Sequence, residues 1–222
     1  PRPPVVRASD IMISVPASSA ASIGARHHQC RTVKLARCTV SITSSSMIYR
    51  RGECVLHLQG PVAVQQGLSK LHAGNLAVEL DEKLRARRIV AGDHPEVAGI
   101  ERGGPVALSA DEISVLLSSD GWTERIIAAG NVRINSKNAA SEDSLAAGRV
   151  ELEPVAGTNQ PRRMTATDNV TVQSALAQGG GRSMKTSSLI MNFAPGGAAG
   201  PTLLQRATTL AEKHKAIHLS GE

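Results

Sequence analysis

The chain repeats one pattern of small, polar and apolar positions. A small residue is followed three, five and seven positions later by apolar residues. The copies are Ala73, Leu76, Val78 and Leu80; Ala110, Ile113, Val115 and Leu117; Ala147, Val150 and Leu152; and Thr186, Leu189, Met191 and Phe193. Their leading positions lie 37, 37 and 39 residues apart, and this near-constant period predicts a repeat architecture. An early copy is expected at Ala8, Ile11, Ile13 and Val15.

Each copy ends in an alternation of apolar and polar residues, with Ser114 and Glu151 among the polar positions. A period of two is typical of a half-buried β-strand, and helical spacing does not fit it. The step of three after the small residue breaks the alternation, which indicates a bulge or a bend. Each strand is therefore expected to turn at that point from one sheet toward another.

A second half-repeat follows each first one after a turn. Residues 126–134 and 164–172 carry apolar or small residues at even-numbered positions, with Asp168 as the exception, and mostly polar ones between them. Weaker relatives of this half-repeat occupy 56–64 and 36–42. Together the half-repeats predict an all-β fold in which one face of the sheet is apolar and shielded from water, here called the dry face.

Two segments depart from the regular pattern. Residues 89–97 begin like the other strands, but Gly92, Asp93, His94 and Pro95 interrupt them, and we expect the chain to loop out there. The tail at 202–217 has apolar residues at helical spacing, whereas the repeat register places strands in it. We favour the strand interpretation.

A sheet folded on itself with one dry face directs alternate apolar side chains into a common interior. The predicted interior consists of Ile113, Val115, Leu117, Ile126, Ala128, Val132, Ile134, Val150, Leu152, Met164, Val170, Val172, Leu189, Met191 and Phe193. The only aromatic residues are Tyr49, Trp122 and Phe193, so such an interior need not fill itself completely. An apolar ligand that enters the gap would gain about 0.8 kcal/mol for each buried methylene.

The repeat resembles that of the periplasmic lipopolysaccharide-transport family, the OstA-like proteins that include the LptA-like and LptC-like members. The segments that carry the resemblance are 108–134 and 144–172, in which a Gly-Asn-Val or Asp-Asn-Val sequence closes the unit. The resemblance implies a repeat-built antiparallel β-jellyroll, open along one seam like a folded taco. We expect a single OstA-like β-repeat domain over 1–222, part of a longer chain, with the best-defined repeats at 56–193.

The same resemblance implies a function. In that family the acyl chains of lipopolysaccharide move through the apolar interior between the inner and outer membranes. The implied partners are lipopolysaccharide or a similar glycolipid, and other lipopolysaccharide-transport proteins that stack by their edge strands. Head-to-tail self-association is expected for the same reason. The implied location is the periplasm, with a soluble, a membrane-anchored and an outer-membrane-associated form all left open.

The net charge of +6 permits an anionic partner, either lipid headgroups or nucleic acid. We expect seven arginines near strand ends to be candidates for phosphorylated headgroups: Arg85, Arg87, Arg88, Arg133, Arg149, Arg162 and Arg163. Nucleic acid is not expected as a partner, because stacking aromatics and recognised nucleic-acid modules are missing from the sequence.

Catalytic chemistry is not predicted. The sequence contains no Gly-x-Ser-x-Gly elbow, no His-Glu-x-x-His and no Walker loop. His27, His28, Cys30 and Cys38 lack the usual zinc spacing, so we expect no metal and no cofactor. Cys30 and Cys38 are candidates for a disulfide in an oxidising compartment, which leaves Cys54 as an odd thiol.

One alternative of a different class stays open. A structural β-solenoid, or a filament or adhesin repeat module, would pack its interior fully and bind no ligand. Solenoid rungs are usually shorter than the 37-residue spacing between positions 73 and 110. The spacing therefore favours a lipid-conducting module over a structural one.

Overall fold

The computed structural model describes residues 40–101, 104–139, 141–156, 161–194, 203–210 and 220–221, and all of the regular structure in them is β-strand. The strands are β1 Val40–Thr43, β2 Ser46–Arg50, β3 Val55–Gln66, β4 Ser69–Leu80, β5 Ala86–Gly92, β6 Glu96–Glu101, β7 Gly104–Ser109, β8 Glu112–Leu117, β9 Thr123–Lys137, β10 Ser141–Pro154, β11 Pro161–Leu176, β12 Gly181–Ala194, β13 Leu203–Leu210 and β14 Ser220–Gly221. The predicted all-β fold class is confirmed.

The strands form one antiparallel sheet in which each long strand pairs mainly with its neighbours in sequence. The main path runs β1-β3-β4-β5-β8-β9-β10-β11-β12-β13. In two places, two short strands pair with different halves of one long strand. β5 and β6 both pair with β4, and β7 and β8 both pair with β9. Each such pair of short strands is thus equivalent to one long, interrupted strand.

Every long strand changes direction near its middle, and the corner has left-handed backbone on β3, β9 and β11. Positive φ angles occur at Gly60 (82°), Gly130 (74°) and Asn131 (49°), and again at Asp168 (68°) and Asn169 (59°). The strand register shifts at the same places, for example between Ala147 and Arg149 and between Thr167 and Val170. The bulge predicted from the step of three is confirmed, because Gly148 of this step lies inside the shift.

The expectation of a looped-out segment at Gly92–Pro95 was wrong. Asp93 (φ 62°) and His94 (φ 55°) form a corner of the same kind, and pairing resumes directly after it at Glu96. The polar and proline residues that look like an interruption supply the left-handed backbone of the corner, for which Asp and His are better suited than most side chains.

The corners lie side by side and form a fold line that divides the sheet into two arms. The first arm contains β2, β5, β8 and β13 with residues 55–59, 75–80, 123–129, 149–154, 161–167 and 188–194 of the long strands. The second arm contains β1, β6, β7 and β14 with residues 62–66, 69–73, 132–137, 141–147, 170–176 and 181–186.

Two glycines on the fold line are covered by short acidic side chains from the neighbouring corner. A Cβ at Gly130 would collide with the carboxylate of Asp111, and one at Gly74 would collide with Asp93. Asp111 is also held by Asn131, whose Nδ2 donates to its Oδ2 at 2.9 Å. The close packing of the acidic side chain on the glycine therefore allows adjacent strands to bend at the same place.

The two arms face each other across a shared apolar interior. One core cluster joins buried residues of the first arm, such as Ala128 and Leu189, to buried residues of the second arm, such as Val132 and Val170. A second cluster around Leu58, Val62 and Leu76 continues the interior toward β1 and β2. The sheet is therefore folded on itself, as the single dry face of the half-repeats predicts.

The structure tests the prediction for part of the tail and not those for the N-terminal residues. Residues 203–210 form β13, so the strand interpretation of the tail is confirmed for that part. The early copy at Ala8, the candidate disulfide of Cys30 and Cys38, and the His27–His28 pair lie outside the described residues. Cys54 is a free thiol.

Candidate functional site

Side chains on the inner faces of the arms lie in layers that run across the strands. The first layer of the first arm lies next to the fold line, and its members are at most 4% exposed. Cross-strand pairing links them in the order Leu58, Leu76, Ala91, Ile113, Ala128, Val150, Ala166 and Leu189. The matching layer of the second arm contains Val62, Ala73, Val132, Ala147 and Val170, each buried. The bottom of the folded sheet is therefore packed.

The second layer, two residues further from the fold line, is apolar in both arms and mostly only half-buried. In the first arm it contains Leu56, Val78, Ile89, Val115, Ile126, Leu152, Met164 and Met191. In the second arm it contains Val64, Leu71, Val97, Leu108, Ile134, Leu145, Val172 and Met184. Burial thus decreases from the fold line toward the free ends of the arms, as expected for a trough open along one side.

The core cluster contains fourteen of the fifteen predicted interior residues. Those buried in it are Ile113, Ala128, Val132, Val150, Met164, Val170 and Leu189, and those packed against it are Val115, Ile126, Ile134, Leu152, Val172, Met191 and Phe193. Leu117 is half-buried and is not part of the cluster. A register shift between Leu116 and Leu117 explains this difference, because a bulge interrupts the alternation of faces.

Sequence reasoning missed a comparable number of inner-face residues. Leu58, Leu76 and Val62 belong to the second cluster, and Leu108 and Leu145 belong to the second arm. The alternation in 56–64 already indicated Leu58 and Val62, and Leu76 is part of a copy of the repeat. Leu108 and Leu145 are separated from the apolar positions of the repeat motif by a corner. The bulge at that corner changes which alternate residues point inward, so counting odd and even positions from the motif does not identify them.

The outer ends of the two arms, which form the lips of the trough, differ in chemistry. Along the first arm the repeated residues at the lip are Leu80, Leu117, Pro154 and Phe193, all half-buried or buried. Along the second arm the third layer is largely polar. Cross-strand pairing there links Ser136 to Asp143, Asp143 to Ser174, and Ser174 to Arg182.

Asp143 is the centre of this polar layer. Its Oδ2 accepts a hydrogen bond from Ser141 Oγ at 2.9 Å, and its Oδ1 accepts one from Ser174 Oγ at 2.5 Å. A cavity of about 500 Å³ opens beside it, at the β11–β12 hairpin, lined by Ser174, Gly181, Arg182 and their neighbours. All three hydrogen-bonded side chains are half-buried.

The expectation that seven arginines lie near strand ends was wrong for Arg133 and Arg149. Both lie next to the corners of β9 and β10, in the middle of those strands. Several of the others have acidic partners: Arg85 pairs with Asp81 at 2.6 Å and Arg162 with Glu153 at 2.6 Å. Internal pairing of this kind reduces the positive charge available to an anionic headgroup.

The Asp81–Arg85 pair closes the turn between β4 and β5. The backbone N–H of Arg85 and its guanidinium both donate to Asp81, and these hydrogen bonds hold the pKa of the Asp81 carboxyl below its usual value. Arg85 also donates to the carbonyl of Ser119 at 2.8 Å, which ties this turn to the next one along the lip. The pair therefore stabilises the first arm's lip.

Among the described residues, no group of three His, Cys, Asp or Glu side chains is placed to hold a metal ion. The described part of the chain likewise has no helix that is both long and apolar enough to cross a membrane. The chemistry that the arrangement offers is burial of apolar surface between the arms, with hydrogen bonding at one lip.

Comparison with known proteins gives a likeness of fold to solved structures and no match in sequence. No protein-family model matches the chain, and no curated protein matches its sequence. Among solved structures the fold is similar to that of LptH of Pseudomonas aeruginosa, the LptA-homologous periplasmic component of the conserved lipopolysaccharide transport device. The match covers 78% of this chain and 94% of LptH, with 10% sequence identity and a TM-score of 0.46.

Proposed function

We propose that this protein is a lipid-binding and transport module that shields the acyl chains of lipopolysaccharide, or of a similar glycolipid, in the trough between its arms. The proposal rests on the properties of the second layer of side chains on the inner faces of the two arms. This layer is apolar on both arms, continuous across the strands from Leu56 to Met191 and from Val64 to Met184, and mostly only half-buried. Exposed apolar surface arranged in this way suits an apolar ligand.

The free energy of such binding comes from the apolar surface area that is removed from water. Each methylene that leaves water contributes about 0.8 kcal/mol, so five buried methylenes contribute about 4 kcal/mol. Many equivalent contacts of this kind also suit transport, because a ligand can move along the trough by one repeat without breaking a strong bond. The graded burial supports this function over a structural repeat module, whose interior would be packed from the fold line to the lips.

The remaining parts of the proposal follow from the sequence resemblance to the OstA-like repeats. They are a periplasmic location, lipopolysaccharide as the natural lipid, and association through the edge strands with other lipopolysaccharide-transport proteins or with further copies of this chain. Exposed strand edges readily pair with other strands, which supports association at the ends of the trough.

Photocrosslinking tests the proposal. A photoreactive amino acid is placed at inner positions Val115, Ile134 and Met191, or at outer positions Arg133 and Asn192, and each variant is irradiated with purified rough lipopolysaccharide or with a saturated fatty acid. We expect adducts from the three inner positions only, because the outer positions face away from the trough. Equal labelling of both sets, or labelling of neither, would contradict the function.

A further inference from the structure

The second arm's lip carries polar side chains one layer further from the fold line than the apolar second layer. Asp143, Ser174 and Ser136 lie two residues beyond Leu145, Val172 and Ile134, respectively. Two residues along a strand span about 7 Å, and alternate residues share a face. A chain that packs on the second layer therefore meets these polar groups where its apolar part ends.

The chemistry of the lip selects for hydrogen-bond donors. Ser141 and Ser174 both donate their hydroxyl hydrogens to Asp143, and Ser141 Oγ already accepts a hydrogen bond from Asn138 Nδ2 at 3.1 Å. The acceptors that remain for a ligand are therefore Ser174 Oγ and the other lone pairs of the Asp143 carboxylate. A ligand that offers hydroxyl or amide N–H groups complements these acceptors. The adjoining cavity of about 500 Å³ is large enough for a sugar ring.

The opposite lip has no matching feature among the described residues at its repeated positions. Leu80, Leu117, Pro154 and Phe193 are apolar, and Phe193 packs against the core cluster. An amphiphile in the trough therefore meets apolar surface over more of the first arm than of the second. At these repeated inner-face positions of the described residues, polar side chains are offered to its headgroup on the second arm's side and not on the first arm's side.

We infer that the trough binds its amphiphile in one orientation, with a hydroxyl-rich, saccharide-like headgroup against the second arm's lip, where Asp143 and Ser174 accept its hydrogen bonds. The inference rests on the proposed function, since it requires an acyl chain between the arms. It adds the orientation of the ligand and two specificity-determining residues to that function.

Two detergents with the same dodecyl chain test the inference on the full chain. Dodecyl maltoside has a saccharide headgroup, whereas dodecyldimethylamine oxide has no hydroxyl donor. Affinities are measured by calorimetry below the critical micelle concentrations. We expect the unmodified protein to prefer the maltoside roughly tenfold, because hydrogen bonds to a charged group contribute about that much. Asp143→Asn and Ser174→Ala should each reduce this preference to below about threefold while the amine oxide affinity stays unchanged.

Matched controls come from neighbouring outward positions on the same strand. Glu142→Gln removes a charge next to Asp143, and Ser144→Ala removes a hydroxyl, and both should keep the full preference for the maltoside. If both detergents bind the unmodified protein equally, the orientation is wrong but the lipid-binding function stands. If neither detergent binds, the proposed function fails and the inference falls with it. Unchanged preference in both lip variants would also overturn the inference.

Discussion

A glutamate at position 126 is expected to weaken the binding of a fluorescent fatty-acyl probe by about a hundredfold or more, because a charged group in an apolar site must be desolvated without a partner. Ile126 belongs to the second layer of the first arm and packs against the core cluster while half-exposed to the trough. The variant Ile126→Glu therefore places a carboxylate where the acyl chain is proposed to lie.

The adjacent isoleucine supplies a matched control. Ile127 is also half-buried, but it pairs with Ser114 and Glu151 on the outer face of the same strand. Ile127→Glu should leave probe affinity within about threefold of the unmodified protein, since a charge on the outer face lies on the opposite side of the sheet from the proposed acyl site. Probe titration gives both affinities, and circular dichroism checks that both variants remain folded. Equal losses in the two variants would exclude the inner face as the binding surface.

Gly130→Val should reduce the free energy of unfolding by about 3 kcal/mol or more, because two penalties combine at this corner. The residue has φ of +74°, a conformation that β-branched side chains rarely adopt. Its Cβ would also collide with the Asp111 carboxylate, which is held in place by Asn131. The fold line must therefore open locally if the substitution is accommodated.

Gly121 separates these two penalties. It has a similar φ of +82°, but a Cβ there would meet no heavy atom within 4 Å. Gly121→Val should therefore cost only the backbone penalty, about 1–2 kcal/mol. Urea denaturation of both variants measures the difference. A cost at position 130 no larger than that at position 121 would show that close packing along the fold line is unimportant for stability.

Much of the fold was predictable because the repeat carries two kinds of information. Alternation with period two identifies the strands and their dry face, and the step of three marks the corner, as at Ala147 and Val150, both of which are buried on either side of Gly148. The corner at Asp93 was misinterpreted because its residues resemble an ordinary surface turn. Only the pairing of the following strand, β6, with β4 and β7 identifies it as part of the fold line.

The site was predictable only in part, since single-strand patterns do not give cross-strand register. Leu117 has the correct spacing but follows a register shift and lies outside the core cluster. Asp143 and Ser174 are 31 residues apart, and nothing in the sequence shows that their side chains form a hydrogen bond. The polar lip depends on which residues become neighbours when the ribbons pair, and that information is not local.

The most direct measurement of the central claim is the contact between a bound acyl chain and individual methyl groups. In perdeuterated protein with labelled isoleucine and methionine methyls, nuclear Overhauser effects are recorded from a fully protonated fatty acid. The trough predicts transfers to Ile126, Ile134 and Met191 and none to Ile48 or Ile127, which lie on the outer face. Transfers to Ile48 or Ile127 without transfers to the three inner residues would contradict it.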